Sequence, residues 1–232
     1  MYSAQMYRIL KSRSAKLIVL IVVIASAVVA FLPHYHSFSE IMTGLGETAH
    51  VFSLFAAVMI ATRENGKGTL NSIVSSGMKR SVIYYAKLKV IIVTSVFFFL
   101  IESVITLLIG ILYFRYPIDM GIPGIIGNVV YHLLIVILAA MLYYAIASFL
   151  ADPVWSVMAC LAYFLFAAQA LQDITIRFGL PVDLSSLVLG GISHYDIMKV
   201  NVMQGVGIVV NLIIIFLVVL IVPALIRKRD LR

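Results

Sequence analysis

The chain is poor in charged residues. Asp, Glu, Lys and Arg make up only 12% of its 232 residues, whereas hydrophobic residues make up 63%. A soluble domain has about 25% charged and about 45–50% apolar residues, because charged side chains must cover its surface. A soluble enzyme, a nucleic-acid-binding module and a disordered regulator are therefore excluded, and no nucleic-acid partner is expected. The composition indicates an integral membrane protein.

Cysteine is almost absent as well. The single Cys160 excludes a disulfide framework and any metal site built from several cysteines. His34, His36 and Glu40 form an H-x-H pattern after the first apolar run. A metal ion needs three or four convergent ligands with supporting hydrogen bonds, which a loop seldom supplies. We therefore predict no metal site.

Long apolar runs are what the sequence does have. A membrane-spanning helix needs about 20 mostly apolar residues, and windows of that length give six candidates. The predicted spans are Leu17–Leu32, Gly46–Thr62, Leu88–Phe114, Ile122–Phe149, Val154–Leu171 and Gly205–Ile226. The second is the weakest, because it contains His50 and several small residues. The predicted fold class is an all-α membrane protein, a single transmembrane domain over residues 1–232 with six transmembrane helices.

The distribution of basic residues predicts the orientation in the membrane. Lys and Arg concentrate in the cytoplasmic loops of membrane proteins. With both termini in the cytoplasm, 14 of the 17 Lys and Arg residues lie on the cytoplasmic side, and the exceptions are Arg115, Arg177 and Lys199. We therefore predict cytoplasmic termini, and we expect a multi-pass protein of the bacterial plasma membrane.

Residues 1–16 are predicted to form a helix at the membrane surface. Basic residues alternate there with apolar ones, at Arg8, Lys11, Arg13 and Lys16. This pattern suits a short helix in the headgroup region with its basic side chains toward anionic lipid. The alternative is a disordered basic leader. A secretory signal is not predicted, because no small-residue cleavage site follows the apolar run.

A cytoplasmic segment, residues 63–87, joins the second and third predicted spans. Gly66 and Gly68 interrupt the chain and Thr69 can cap a helix, so a short amphipathic helix is predicted over Leu70–Ser76. Its apolar face consists of Leu70, Ile73 and Val74. A helix of two turns is not stable alone in water. It must therefore pack on the membrane surface, on its own bundle or on a partner protein.

The outer connection between the last two spans, residues 172–204, is also long. Its stretch Leu184–Leu189 is too apolar for a free loop, and Gly190 and Gly191 interrupt the chain before it reaches the length of a span. Backbone at membrane depth is tolerated where protein covers it. We predict a re-entrant or interfacial pair of half-helices.

These features together resemble the permease subunit of type-2 ABC transporters, an exporter family. The segment from Arg63 to Leu70, followed by Ser75–Arg80, is similar to the family pattern of acidic-x-x-x-Gly-Thr-Leu and then small-Gly-x-x-Arg. The resemblance covers the whole chain. It implies six spans, an N-terminal elbow helix at residues 1–16, a coupling helix between spans two and three, and re-entrant half-helices before the last span.

The resemblance also implies partners. The coupling helix of the family docks on a cytoplasmic ABC ATPase subunit, and the matching positions are Glu64, Gly68, Thr69, Leu70, Ile73, Val74, Gly77, Lys79 and Arg80. A second copy of the chain, or a homologous permease subunit, is the other expected partner besides membrane lipid. ATP and Mg would be bound by the ATPase. This chain is expected to bind no cofactor, since Gly66–Thr69 lacks the preceding strand and glycine of a phosphate loop.

The expected function is ATP-driven export of an amphipathic or hydrophobic substrate. Peptides, including bacteriocins and toxins, lipids and drugs all fit, and a peptide is the first choice. The chain itself is not expected to be an enzyme, because the motifs of intramembrane serine, aspartyl and metal proteases are missing. The alternative is a non-transporting membrane scaffold or sensor that uses the same cytoplasmic helix to recruit a signalling partner.

Five polar residues in or near the predicted spans are candidates for a substrate path or a polar contact within the bundle. They are Glu102, Asn128, His132, Gln169 and Gln172. A carboxylate inside a bilayer is costly and indicates a functional site or a pair. At 1.5 Å per residue, Glu102 and His132 lie within one turn of each other in height. Their contact would be a substrate-lining or gating pair, or a structural hydrogen bond. Gln169 and Gln172 would face a subunit interface or lateral cleft, or cap the helix at the membrane surface.

Overall fold

The structure, a computed structural model, describes residues 20–24, 28, 38–62, 80–109, 111–112, 121–181, 184–189 and 202–229. Within these ranges the regular elements are all helical. They are α1 (Phe38–Thr62), α2 (Arg80–Ile109), α3 (Ile122–Leu150), α4 (Pro153–Arg177), a 3-10 helix (Leu184–Leu187) and α5 (Val202–Arg229).

Four of these helices are long and apolar enough to cross a membrane. The crossing stretches are Ser81–Ile109, Ile122–Leu150, Pro153–Arg177 and Val206–Ala224, in α2, α3, α4 and α5. The predicted class, an all-helical membrane protein, is thus confirmed. In α1, the second predicted span, the apolar stretch found is Thr48–Thr62, which is shorter than the other four. The first predicted span is described only at residues 20–24 and 28, so the count of six spans stays a prediction.

Three helices extend six or more residues beyond one end of the predicted spans. α1 begins at Phe38 and α2 at Arg80, each eight residues before the predicted start, and α4 continues six residues further, to Arg177. A hydropathy window ends where charged residues enter, whereas the backbone hydrogen bonds of a helix continue. In α2 the early part is also covered by protein, since Ile83, Tyr84 and Lys87 are buried.

The third helix, α3, lies at the centre of the bundle and contacts the other four described α helices. Small side chains on α3 allow this close approach. They are Ala139, Ala140, Ala145 and Ala147, each at most 1% exposed. Tyr143 and Tyr144 are among the largest side chains that are fully buried. Since the α1, α2, α4 and α5 helices all pack on α3, it sets their positions.

A two-residue turn joins α3 to α4. Ala151 adopts a left-handed conformation with φ 61°, and its N–H donates to the Ala147 carbonyl at 2.9 Å. Asp152 then caps α4 by accepting a hydrogen bond from the Trp155 N–H at 2.9 Å. Pro153 occupies the first helical turn, where no N–H donor is needed. The turn therefore returns the chain directly alongside α3.

The Asp152 cap is expected to contribute to the thermal stability of the protein. Asp152→Ala removes the acceptor for the Trp155 N–H, and loss of such a cap costs about 1 kcal/mol. We expect a lower melting temperature than in Asp152→Asn, because asparagine also caps helices well. The buried Cys160 allows the measurement, since a thiol-reactive dye reports its exposure on heating. Equal melting temperatures for the two variants would contradict the role of the cap.

Candidate functional site in the helix bundle

Three helices place polar side chains inside the bundle at a similar height. This polar layer consists of Thr48 and His50 on α1, Glu102 and Thr106 on α2, and Asn128 and His132 on α3. All except the partly buried Thr48 are at most 1% exposed. Each lies within roughly 18 Å of the predicted outer end of its helix, at 1.5 Å per residue. In the predicted orientation, the layer therefore lies in the outer half of the bundle.

An apolar cluster packs next to the polar layer. It consists of Ala49, Phe99 and Val136, one residue from each of the same three helices. Glu102 follows Phe99 by one turn, and His132 precedes Val136 by one turn. Because α2 and α3 run in opposite directions, Glu102 and His132 lie on the same side of the cluster.

Glu102 is hydrogen-bonded to α1. The Thr48 hydroxyl donates to its Oε1 atom, while its Oε2 atom has no hydrogen-bond partner among the residues that the structure describes. The side chain is 0% exposed. Glu102 thus retains one carboxyl oxygen that can accept or donate a proton inside the bundle. Its predicted contact with His132 stays a prediction.

His50 connects the polar layer to α4. Its ring centroid lies 5.8 Å from that of Phe164, and the side chain is 0% exposed. Thr48 and His50 were not among the predicted site residues. The low hydropathy of the second predicted span was the sequence feature that could have indicated these two residues. A span with polar side chains is expected to face protein instead of lipid on that side.

The chain after α4 folds back along that helix. The Leu184 N–H donates to Thr175 Oγ1 at 3.0 Å, and the Leu189 N–H donates to the Tyr163 hydroxyl at 3.3 Å. Tyr163 precedes Thr175 by twelve residues, about 18 Å along a helix. Leu189 is fully buried in the main core. A segment between the last two helices therefore enters the bundle, in the region where the re-entrant half-helices were predicted.

Asn211 on α5 holds this segment from the other side. Its Nδ2 group donates to the Leu187 carbonyl and to the Gly207 carbonyl, each at 2.8 Å. The side chain is buried. An amide in the apolar part of a membrane helix is costly unless it finds such partners. The hydrogen bond to Leu187 therefore connects α5 to the end of the 3-10 helix.

Gln169 and Gln172 do not belong to the polar layer. Both lie on α4 and are exposed, whereas Glu102, Asn128 and His132 are buried. The five candidates thus separate into three that face the bundle and two that face away from it. Glu40 is exposed on α1, and His34 and His36 lie outside the described residues. No group of three His, Cys, Asp or Glu side chains that could hold a metal ion occurs in the described ranges.

The predicted coupling segment lies mostly outside the described residues. Of its nine assigned positions only Arg80 falls within them, as the first residue of α2. The helices on either side of the segment contact each other. The Lys87 ammonium lies 3.5 Å from the Ala61 carbonyl oxygen, so the last turn of α1 contacts α2. The Tyr144 hydroxyl donates to the Tyr84 carbonyl at 3.0 Å and connects α2 to α3.

No family model, curated protein or solved structure matches the chain. The resemblance to type-2 ABC permeases therefore stays a prediction from the sequence.

The hydrogen bond between Thr48 and Glu102 in the polar layer is also expected to contribute to thermal stability. Thr48→Val keeps the shape of the side chain but leaves the buried carboxyl group of Glu102 without its donor. Such a loss costs about 1–3 kcal/mol. We expect Thr48→Val to melt at a lower temperature than Thr48→Ser, which retains the hydroxyl. A serine variant as unstable as the valine variant would assign the effect to packing instead.

The contact of Asn211 predicts the accessibility of the segment that it holds. In a Cys160→Ser background, Leu189→Cys should react slowly with a membrane-impermeant maleimide, because Leu189 is fully buried. Asn211→Leu should raise that rate about fivefold, which corresponds to the loss of about 1 kcal/mol of hydrogen bonding. The exposed Gln172→Cys serves as the control and should label equally with or without Asn211→Leu. An unchanged rate at Leu189→Cys would show that Asn211 does not hold the segment.

Proposed function

We propose that the chain is the permease subunit of an ATP-driven exporter of the type-2 ABC kind, powered by a separate cytoplasmic ATPase. The proposal rests chiefly on how the predicted coupling segment is flanked. Residues 63–79 connect two helix ends that contact each other, through Lys87 and Ala61. Ala61 and Tyr84 also belong to the same buried core. A partner that moves this segment would therefore move both helices.

The α1–α2 pair is joined again near its other end. Thr48 on α1 donates to Glu102 on α2, fifteen residues along α2 from Lys87. At 1.5 Å per residue the two connections are about 22 Å apart. Packed helices joined at both ends move as a body. Displacement at the predicted cytoplasmic end would consequently reach the polar layer in the outer half of the bundle.

The polar layer suits an amphipathic cargo. It includes the Oε2 atom of Glu102, and the apolar cluster around Phe99 lies one turn from this residue on the predicted inner side. A cargo that enters laterally from the bilayer would place its polar part near this layer. Peptides, among them bacteriocins and toxins, lipids and drugs have this character, and a peptide is the first choice. A second copy or a homologous permease subunit would complete the path.

The coupling helix provides the test. Leu70→Asp with Ile73→Asp places two carboxylates on the predicted docking face. Ser72→Asp with Ser75→Asp adds the same charge to the opposite face of the helix and is the matched control. Each variant is purified from native membranes in a mild detergent, and its bound proteins and ATP hydrolysis are measured. We expect an ATPase carrying a phosphate-loop motif to accompany the wild type and the control, but not the docking-face variant.

Two results would contradict the proposal. An ATPase that stays fully bound to the docking-face variant would exclude residues 70–74 as its contact. A bound partner without ATPase activity would favour the alternative function, a scaffold or sensor that recruits a signalling protein through the same segment.

A further inference from the structure

Glu102 is a fully buried carboxyl group with one oxygen atom left over. Its Oε1 atom accepts a hydrogen bond from the Thr48 hydroxyl, and its Oε2 atom has no hydrogen-bond partner among the described residues. In the ionised form the side chain is a negative charge at membrane depth, and in the neutral form Oε2 still lacks a partner. Both forms are costly there unless a further group pairs with Oε2.

The helices around Glu102 contain no Lys or Arg residue that could be its counter-ion. Neither α1 nor α3 has one, and α5, which also packs on α2, has none before Arg227. The basic residue of α2 that comes closest to Glu102 in sequence is Lys89, about 20 Å away along the helix. The remaining candidates on α1 and α3 are the rings of His50 and His132, and an imidazole is a cation only when it is protonated.

An ammonium group on a ligand would satisfy this carboxyl group. It supplies a positive charge and N–H donors, and hydrogen bonds between charged groups are stronger than those between neutral ones. The oxygen atoms of Thr48 and Asn128 in the same layer can accept hydrogen bonds as well. The apolar cluster that contains Phe99 begins one turn from Glu102. A molecule with a positively charged group and a hydrocarbon part therefore matches both surfaces.

We propose that the polar layer binds the positively charged amino group of an amphipathic cargo, with Glu102 as the counter-ion. The inference rests on the proposed function for the entry of the cargo, because Glu102 is 0% exposed in this structure. Movement of the α1–α2 pair against α3 would open the layer between these helices. The proposal narrows the cargo to cationic molecules, such as basic peptides and amine drugs.

Binding of hexylamine to the purified protein tests the charge of the ligand. The amine is protonated at neutral pH, as lysine is, and hexanol has the same hydrocarbon chain without the charge. A ligand that binds the folded protein raises its melting temperature, which a dye that reacts by disulfide exchange with the buried Cys160 reports. We expect hexylamine, but not hexanol, to raise this temperature. Equal effects of the two compounds, or none from hexylamine, would overturn the proposal.

Glu102→Gln assigns the binding to this side chain. The amide keeps the shape and an acceptor for Thr48 but removes the negative charge. The dissociation constant for hexylamine should rise about tenfold or more, the loss expected for a hydrogen bond between charged groups. Glu102→Asp retains a carboxylate and should bind more tightly than Glu102→Gln.

Glu40→Gln is the matched control, because it removes one carboxylate from an exposed position on α1. It should bind hexylamine as the wild type does. The melting transition of each variant without ligand shows that the variant is folded. Wild-type affinity in Glu102→Gln, or an equal loss in Glu40→Gln, would overturn the role of Glu102.

The outcome is separable from that of the coupling experiment. The variant with Leu70→Asp and Ile73→Asp should still bind hexylamine, since residues 70–73 are not part of the polar layer. Binding through Glu102 in a chain that has no ATPase partner would support the cation site and contradict the export function. A chain that binds an ATPase but not hexylamine would do the reverse.

Discussion

A polar group buried at membrane depth must find its hydrogen-bond partner inside the protein, because lipid offers none. The bundle depends on this constraint at several points. Thr48 donates to Glu102 between α1 and α2, Asn211 donates to the Leu187 carbonyl, and Tyr144 donates to the Tyr84 carbonyl. Apolar packing around α3 brings the helices together but is weakly directional. These hydrogen bonds determine which faces of the helices meet.

The same contacts define how motion can pass through the molecule. The α1–α2 pair is joined near both ends, and its predicted cytoplasmic end connects to the segment expected to meet an ATPase. The segment after α4 is held separately, by Tyr163 and Asn211. The bundle therefore contains two units, the α1–α2 pair and the segment after α4, and different hydrogen bonds hold each of them in place. In the proposed transport function, one unit would move relative to the other.

The sequence predicted much of the fold from apolarity alone. Four of the six predicted spans are found as helices long and apolar enough to cross a membrane. The partner of Glu102 does not follow from apolarity, because it depends on how α1 is rotated against α2, and hydropathy is insensitive to rotation. Thr48 and His50 only lowered the hydropathy of the second predicted span, although both face the protein interior. The pairing of Leu189 with Tyr163 likewise depends on a return of the chain that no local pattern determines.

In the proposed exporter, ATP binding to the partner ATPase moves the α1–α2 pair relative to the rest of the bundle. Spin labels on Leu108→Cys of α2 and Ile174→Cys of α4, both exposed near the predicted outer end, would measure this movement in a Cys160→Ser background. The measurement uses the complex with its ATPase in lipid bilayers, without nucleotide and with ATP trapped. We expect the distance between the labels to change on ATP binding. An unchanged distance while the complex hydrolyses ATP would contradict the proposed movement.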